Sequence, residues 1–174
     1  CGRHAGWIGV TYSIVARDPD TGELGVGVQT HRPAVGAGVP WVEPGVGGIA
    51  TQSMANVGFG PQALELLKNG LDAPLAMRAI LAGDRTPEIR QVGIVDAQGK
   101  TASHTGESCI PAHGAVEGEN FSTQANMMLN PGVPEAMAGA FTRSPGRLVD
   151  RILAAMEAAQ SAGGDIRGMQ SAAI

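Results

Sequence analysis

Aromatic residues are scarce in this chain: three Phe, two Trp and one Tyr make up 3 % of its 174 residues. A surface that binds nucleic acid by stacking bases on rings has no material here. Charge is also thin, at 16 %, and 12 basic against 16 acidic residues leave a net charge of −4. No Lys/Arg run offsets that sign, which excludes an electrostatic footprint for nucleic acid. Gly and Pro interrupt the longest uncharged stretches, so no membrane span fits. Only two cysteines occur, Cys1 and Cys109, too few for a disulfide framework. His4, His31, His104 and His113 lie too far apart for a short-range zinc motif, and no metal or cofactor is expected.

Two common active-site signatures are missing as well. There is no Gly-x-x-x-x-Gly-Lys-Ser/Thr, and Gly45-Val46-Gly47-Gly48 leads into a strand, not the helix that phosphate binding requires. Gly-x-Ser-x-Gly is absent, which removes the hydrolase nucleophile elbow.

What the chain has in abundance is glycine, 26 residues, alongside 43 % apolar residues. Such a composition builds a core from Val, Ile, Leu, Met and Ala, with backbones close together where Gly permits it. The length matches one domain at roughly 150 residues per domain. We expect that domain to run from Thr11 to Ile174, after an extension or propeptide over residues 1–10. Ser171-Ala172-Ala173-Ile174 reads as the opening of a strand, so a C-terminal truncation is expected. No charged segment followed by an apolar one marks a targeting signal, and a cytoplasmic location is expected.

Along the chain, Thr11–Arg17 reads as a strand, Asp18-Pro19-Asp20-Thr21-Gly22-Glu23 as a turn, and Leu24–Thr30 as the return strand of a hairpin. Glycines alternate with Leu and Val on the return strand, leaving one face nearly flat for another layer to approach. Residues 32–48 read as irregular or short-strand, and Val46–Gln52 as a small-residue strand. Pro61 opens a helix closed by Asn69-Gly70; a second runs over Ala73–Ala82, with Asp72 as its N-cap and Gly83 as its stop. Gln91–Asp96 and Lys100–Thr105 form a second hairpin, and Phe121–Asn126 a further strand. Helices follow over Val133–Phe141 and Arg147–Ala159. Segregated runs of strands and helices predict an α+β fold.

A Thr or Cys that opens a strand with its own α-amine free is a nucleophile and base in one residue. The amine, with a reference pKa of about 7.7–8.0, can take the hydroxyl proton, so no histidine is needed. The stretch from Thr11 to Gln29, Thr-Tyr-Ser-Ile-Val-Ala-Arg-Asp-Pro-Asp-Thr-Gly-Glu-Leu-Gly-Val-Gly-Val-Gln, resembles the start of the bacterial domain-of-unknown-function family numbered 1028. Further matching motifs are Val39-Pro40-Trp41, Ala50-Thr51-Gln52-Ser53, Phe59-Gly60-Pro61, Gln91–Asp96, His104-Thr105-Gly106, Gln124–Met128 and Gly164–Ala172. The resemblance covers Thr11 to Ile174. It implies the four-layer αββα sandwich of the N-terminal-nucleophile (Ntn) hydrolases, and an amidohydrolase acting on a small-molecule amide substrate. In similar sequences Thr11 follows the initiator Met; here ten residues precede it, and its amine is free only if they are removed. Cys1 is a second candidate nucleophile, but the hairpin begins ten residues beyond it.

Around Thr11 the candidate catalytic residues are Ser13, on the same strand face, Arg17, as a carboxylate clamp or a hairpin arginine paired with Asp18 or Glu23, and Asn126, as an oxyanion donor. Candidate substrate-binding residues are Thr51 and Gln52, at the end of a strand expected beside the first hairpin, together with Asn56 and His31. A homo-oligomer is expected. The rival expectation is a non-catalytic protein that uses the same sandwich for binding or assembly.

Overall fold

Side-chain alternation along the strands sorts this chain into layers. The structure is a computed structural model that describes residues 11–174. In chain order it contains β1 (Thr11–Arg17), β2 (Leu24–Thr30), β3 (Pro40–Glu43), β4 (Gly47–Ser53), α1 (Phe59–Lys68), α2 (Ala73–Ala82), β5 (Arg90–Asp96), β6 (Thr101–Thr105), β7 (Gly114–Gly118), β8 (Phe121–Asn126), α3 (Val133–Arg143), α4 (Leu148–Ser161) and β9 (Ser171–Ala173). The strands form two antiparallel sheets, ordered β7-β8-β1-β2-β9 and β3-β4-β5-β6.

Because strand side chains alternate, each strand feeds two clusters. Tyr12, Ile14 and Ala16 of β1 pack with Met137 and Phe141 of α3 and with Leu148 and Ile152 of α4. Ile49, Val92 and Ile94 of the second sheet pack with Phe59, Leu64 and Leu67 of α1 and with Met77 and Ile80 of α2. Between the sheets lies a third cluster, built from Val15, Val26, Val28, Ala50 and Val95 with Val35 and Val39. The described residues thus form a mixed α+β fold with two antiparallel sheets and four helices, each helix pair covering one sheet.

Several local expectations hold. The turn after β1 is closed by Asp18, whose Oδ1 accepts the backbone N–H groups of Asp20 and Thr21 at 2.9 and 3.0 Å. Asp72 caps α2 by accepting the Leu75 N–H at 3.0 Å. The flat face of β2 also serves as expected: a Cβ on Gly25 or Gly27 would lie 2.7 or 2.6 Å from a methyl carbon of Ile152, so α4 can seat only against glycine.

Other expectations needed correction. β4 does not lie beside the first hairpin; it belongs to the other sheet and faces the hairpin across the interior. Helix α1 starts at Phe59, so Pro61 sits inside its first turn, not at its opening. Strand β7 has no sequence signal, since Gly bounds it at both ends, and it exists because it pairs with β8.

Candidate functional site

Thr11 opens β1, the central strand of its sheet, with Thr30 of β2 and Asn126 of β8 as its register partners. Its side chain is on the inter-sheet face with Ser13 and Val15. The Thr11 hydroxyl lies 3.3 Å from that of Thr30. Its carbonyl oxygen accepts from Gln52 Nε2 at 3.2 Å and more weakly from Asn126 Nδ2 at 3.5 Å. The residue is 3 % exposed, and it borders a cavity of about 600 Å³ that opens at this end of the sheets.

Behind Thr11 the inter-sheet layer changes from valine to uncharged polar residues. Gln124 Nε2 donates to Ser13 Oγ at 2.7 Å, and Ser13 Oγ donates to Gln52 Oε1 at 2.7 Å. Gln52 Nε2 donates onward to Gln91 Oε1 at 2.7 Å, where Asn126 Nδ2 also donates at 2.9 Å. Gln91 Nε2 reaches the Ala125 carbonyl at 2.9 Å and Thr105 Oγ1 at 3.0 Å. Ser13, Gln52, Gln91, Gln124 and Asn126 are buried, and Thr105 at the margin is half-buried. The seam joins the two sheets and converges on the Thr11 carbonyl without holding any charge of its own. Amides suit that role, because a buried carboxylate or ammonium would cost far more to desolvate. Gly93 makes room for it: a Cβ there would lie 2.7 Å from Gln124 Cδ.

The cavity wall comes from two segments, residues 32–39 and 53–57, with Arg90 at the base of β5. Ser53 turns the chain out of β4 at φ 65°, a left-handed conformation unusual for a residue with a Cβ. Arg90 fixes the next residue by donating to the Met54 carbonyl. It also donates through Nε to Asp84 Oδ2 at 2.8 Å and through Nη2 to Thr86 Oγ1 at 2.9 Å. The Arg90 hydrogen bond holds the Asp84 carboxyl well below the usual carboxylate range, so this pair stays ionised. Cys109 donates to the Arg90 carbonyl at 3.3 Å, and burial pushes its thiol pKa upward.

The sequence candidates divide sharply. Thr11, Ser13, Gln52 and Asn126 come together at the end of β1, but only Thr11 and Gln52 border the cavity. Asn126 is fully buried, with its amide nitrogen directed at Gln91 Oε1 and the Thr11 carbonyl, and it does not border the cavity. Ser13 is likewise internal. Arg17 is at the other end of β1, about 20 Å from Thr11 at the usual strand rise, and donates to Asn120 Oδ1 at 3.2 Å; it shares no site with Thr11. Thr51 faces the opposite way from Gln52 and donates to the Asn56 carbonyl at 3.2 Å. Asn56 shapes a turn, accepting the Gly58 N–H at 3.1 Å and donating to Asp84 at 3.4 Å. His31 is outside the cavity wall, and its backbone N–H donates to Asp165 Oδ2 at 2.9 Å. Cys1 and residues 1–10 lie outside the described residues.

Gln91, Gln124, Thr30, Arg32, Ser53 and Arg90 were not among the sequence candidates. A glutamine placed among small and β-branched residues in Gln91–Asp96 and Phe121–Asn126 was the available signal, since an amide inside a buried strand demands partners. Among the described residues, no group of three or more His, Cys, Asp or Glu is placed to hold a metal ion, and no helix is long and apolar enough to cross a membrane.

A crystal structure of a Silicibacter pomeroyi protein assigned to DUF1028 superposes with a TM-score of 0.88. It is 31 % identical, and the match covers 94 % of this chain and 71 % of that one. No curated protein matches the chain. Residues 11–174 match DUF1028, described as a family of unknown function, and the chain belongs to that family.

Proposed function

We propose that this chain is an Ntn-type amidohydrolase, with its helix pairs and two sheets forming the αββα sandwich of that superfamily and Thr11 as its nucleophile. The observation that carries the reading is the position of Thr11: first residue of the central strand, at the wall of a cavity of about 600 Å³, with its carbonyl clamped by Gln52 and Asn126. A cavity of that size suits a small molecule. Cleavage of the peptide bond between Val10 and Thr11 would release an α-amine beside the hydroxyl.

In this mechanism the amine takes the proton as Thr11 Oγ attacks the amide carbonyl. The C–N bond then breaks, the leaving amine departs with that proton, and an ester to Thr11 remains. Water, deprotonated by the same α-amine, hydrolyses the ester and regenerates the hydroxyl. Clamping at the carbonyl restricts rotation of the residue, and a nucleophile held in one orientation gains rate through the entropy already lost. Gln52 and Asn126 are positioning residues in this scheme.

The test is protein cut to begin at Thr11, treated with a threonine-reactive electrophile and mapped by tandem mass spectrometry. The expected result is one adduct on Thr11, absent in Thr11→Ala and retained in Thr11→Ser. An adduct elsewhere, or full amide-hydrolysing activity in Thr11→Ala, overturns the reading in favour of a non-catalytic binding or assembly role.

A further inference from the structure

The side chains that border the cavity divide into polar groups already bonded inside the chain and an aliphatic surface that bonds to nothing. Gln52 commits its amide to Ser13, Gln91 and the Thr11 carbonyl. Arg90 is bonded to Asp84, Thr86 and the Met54 carbonyl. The Thr11 hydroxyl meets that of Thr30, and Ser53 bonds the Cys109 thiol. Thr30 and Arg32 are likewise engaged within the chain, and no carboxylate borders the cavity. The backbone follows the same pattern. The N–H groups of Ala37, Gly38 and Val39 turn back to the Ala34 and Val35 carbonyls, and that of Met54 reaches the Ile89 carbonyl. What the wall offers a ligand is therefore hydrocarbon, from Pro33, Val35, Val39, Met54, Ala55 and Val57.

We propose that this cavity is an acyl-chain site: it takes an uncharged aliphatic acyl amide, with the carbonyl at Thr11 and the hydrocarbon along residues 33–39 and 53–57. The inference rests on the reading of Thr11 as nucleophile, and it names the substrate class of that site. In the reaction, water adds across the amide C–N bond and releases an aliphatic carboxylic acid and an amine. Selection comes from removing the chain from water. Each buried methylene is worth about 0.8 kcal/mol, a factor of about four in affinity. A charged group on the chain would leave water for a wall whose hydrogen-bonding side chains are occupied, and a charge desolvated without new partners binds poorly. The wall keeps its shape without a ligand, because Arg90 fixes Met54 while Val35 and Val39 pack into the inter-sheet cluster. A preformed apolar cavity with polar groups gathered at one end is a common form of small-molecule site.

The experiment uses Thr11→Ala protein, which cannot turn substrate over, and titrates it by ligand-observed NMR with propionamide, butyramide, pentanamide and hexanamide. The expected result is an affinity that rises about fourfold with each methylene. Two analogues of hexanamide that end in a charge, adipic acid monoamide and 6-aminohexanamide, should each bind about tenfold more weakly than hexanamide. Val57 borders the cavity and is 48 % exposed, so substitution there leaves the core intact. Val57→Asp, made in the same protein, puts a carboxylate on the wall and should bring the increment below twofold; Val57→Leu should preserve it. An increment below twofold before that substitution, equal or tighter binding of either charged analogue, or an increment that Val57→Asp leaves unchanged overturns the proposal. Because this readout needs no hydrolysis, its failure is distinct from failure of the Thr11 adduct test.

Discussion

Replacing Gln52 with Glu would make folding pH-dependent through a single atom. The substitution barely alters size, but it turns the Nε2 donor into an acceptor. That donor faces Gln91 Oε1 at 2.7 Å, the Thr11 carbonyl at 3.2 Å and the Gln124 carbonyl at 3.3 Å, in a residue that is 1 % exposed. An ionised carboxylate would meet three oxygens with no solvent to screen them, whereas the neutral acid restores one donor. In Gln52→Glu the carboxyl is consequently held protonated in the folded state, with its pKa raised above the reference value of about 4.3. Above that pH the unfolded chain releases the proton and the folded protein keeps it. Stability is full below the unfolded pKa and falls as pH rises, by about 1.4 kcal/mol per pH unit until the folded pKa is reached. From about pH 4.5 to about pH 7 the loss amounts to roughly 3 kcal/mol. At a urea m-value of about 2 kcal/mol/M, the midpoint relative to the unsubstituted protein drops by about 1.5 M across that range. Gln52→Met is the control. It leaves the Thr11 carbonyl and the Ser13 hydroxyl short of a partner, a cost of about 2–4 kcal/mol that does not vary with pH. Parallel pH curves for Gln52→Glu and the unsubstituted protein would refute the buried-seam reasoning, because they would place the amide in water.

What the sequence revealed and what it hid differ in range. The hairpin of β1 and β2, the cap at Asp72 and the helices were legible because their signals are local: turn chemistry, capping side chains and helical spacing. The flat glycine face of β2 was legible too, although its partner Ile152 was not, being far along the chain. The seam behind Thr11 was hidden for a physical reason. Both faces of β5 and β8 are buried, so alternation does not mark which side carries Gln91 or Gln124 toward the other sheet. Arg17 was legible as the far end of the first strand, and the six residues from Thr11 span about 20 Å, which separates it from the cavity. The cavity wall at 32–39 and 53–57 joins irregular segments that only the folded sheets bring together. Nothing in their local chemistry announces that meeting.

Two further perturbations probe the frame around the site. Asp84→Asn leaves the Arg90 guanidinium without its carboxylate and should cost roughly 3 kcal/mol in urea unfolding. Since Asp84 is held below its ordinary range, its stabilisation is complete above about pH 3.9 and is lost as pH falls further, so the gap between the two proteins should narrow in acid. Gly27→Ala tests how closely α4 seats on β2. The added Cβ would lie 2.6 Å from Ile152 Cγ2, an overlap the helix must relieve by moving, for about 1–3 kcal/mol. Ile152→Ala alone opens a cavity and should cost about 2–5 kcal/mol. Combining the two removes the clash and lets the new methyl occupy part of the vacated space, so the double variant should be at least about 1 kcal/mol more stable than the sum of the single losses predicts. Strict additivity in that cycle would mean that the glycine face and the helix are not in contact, and that something other than close approach keeps β2 free of side chains there.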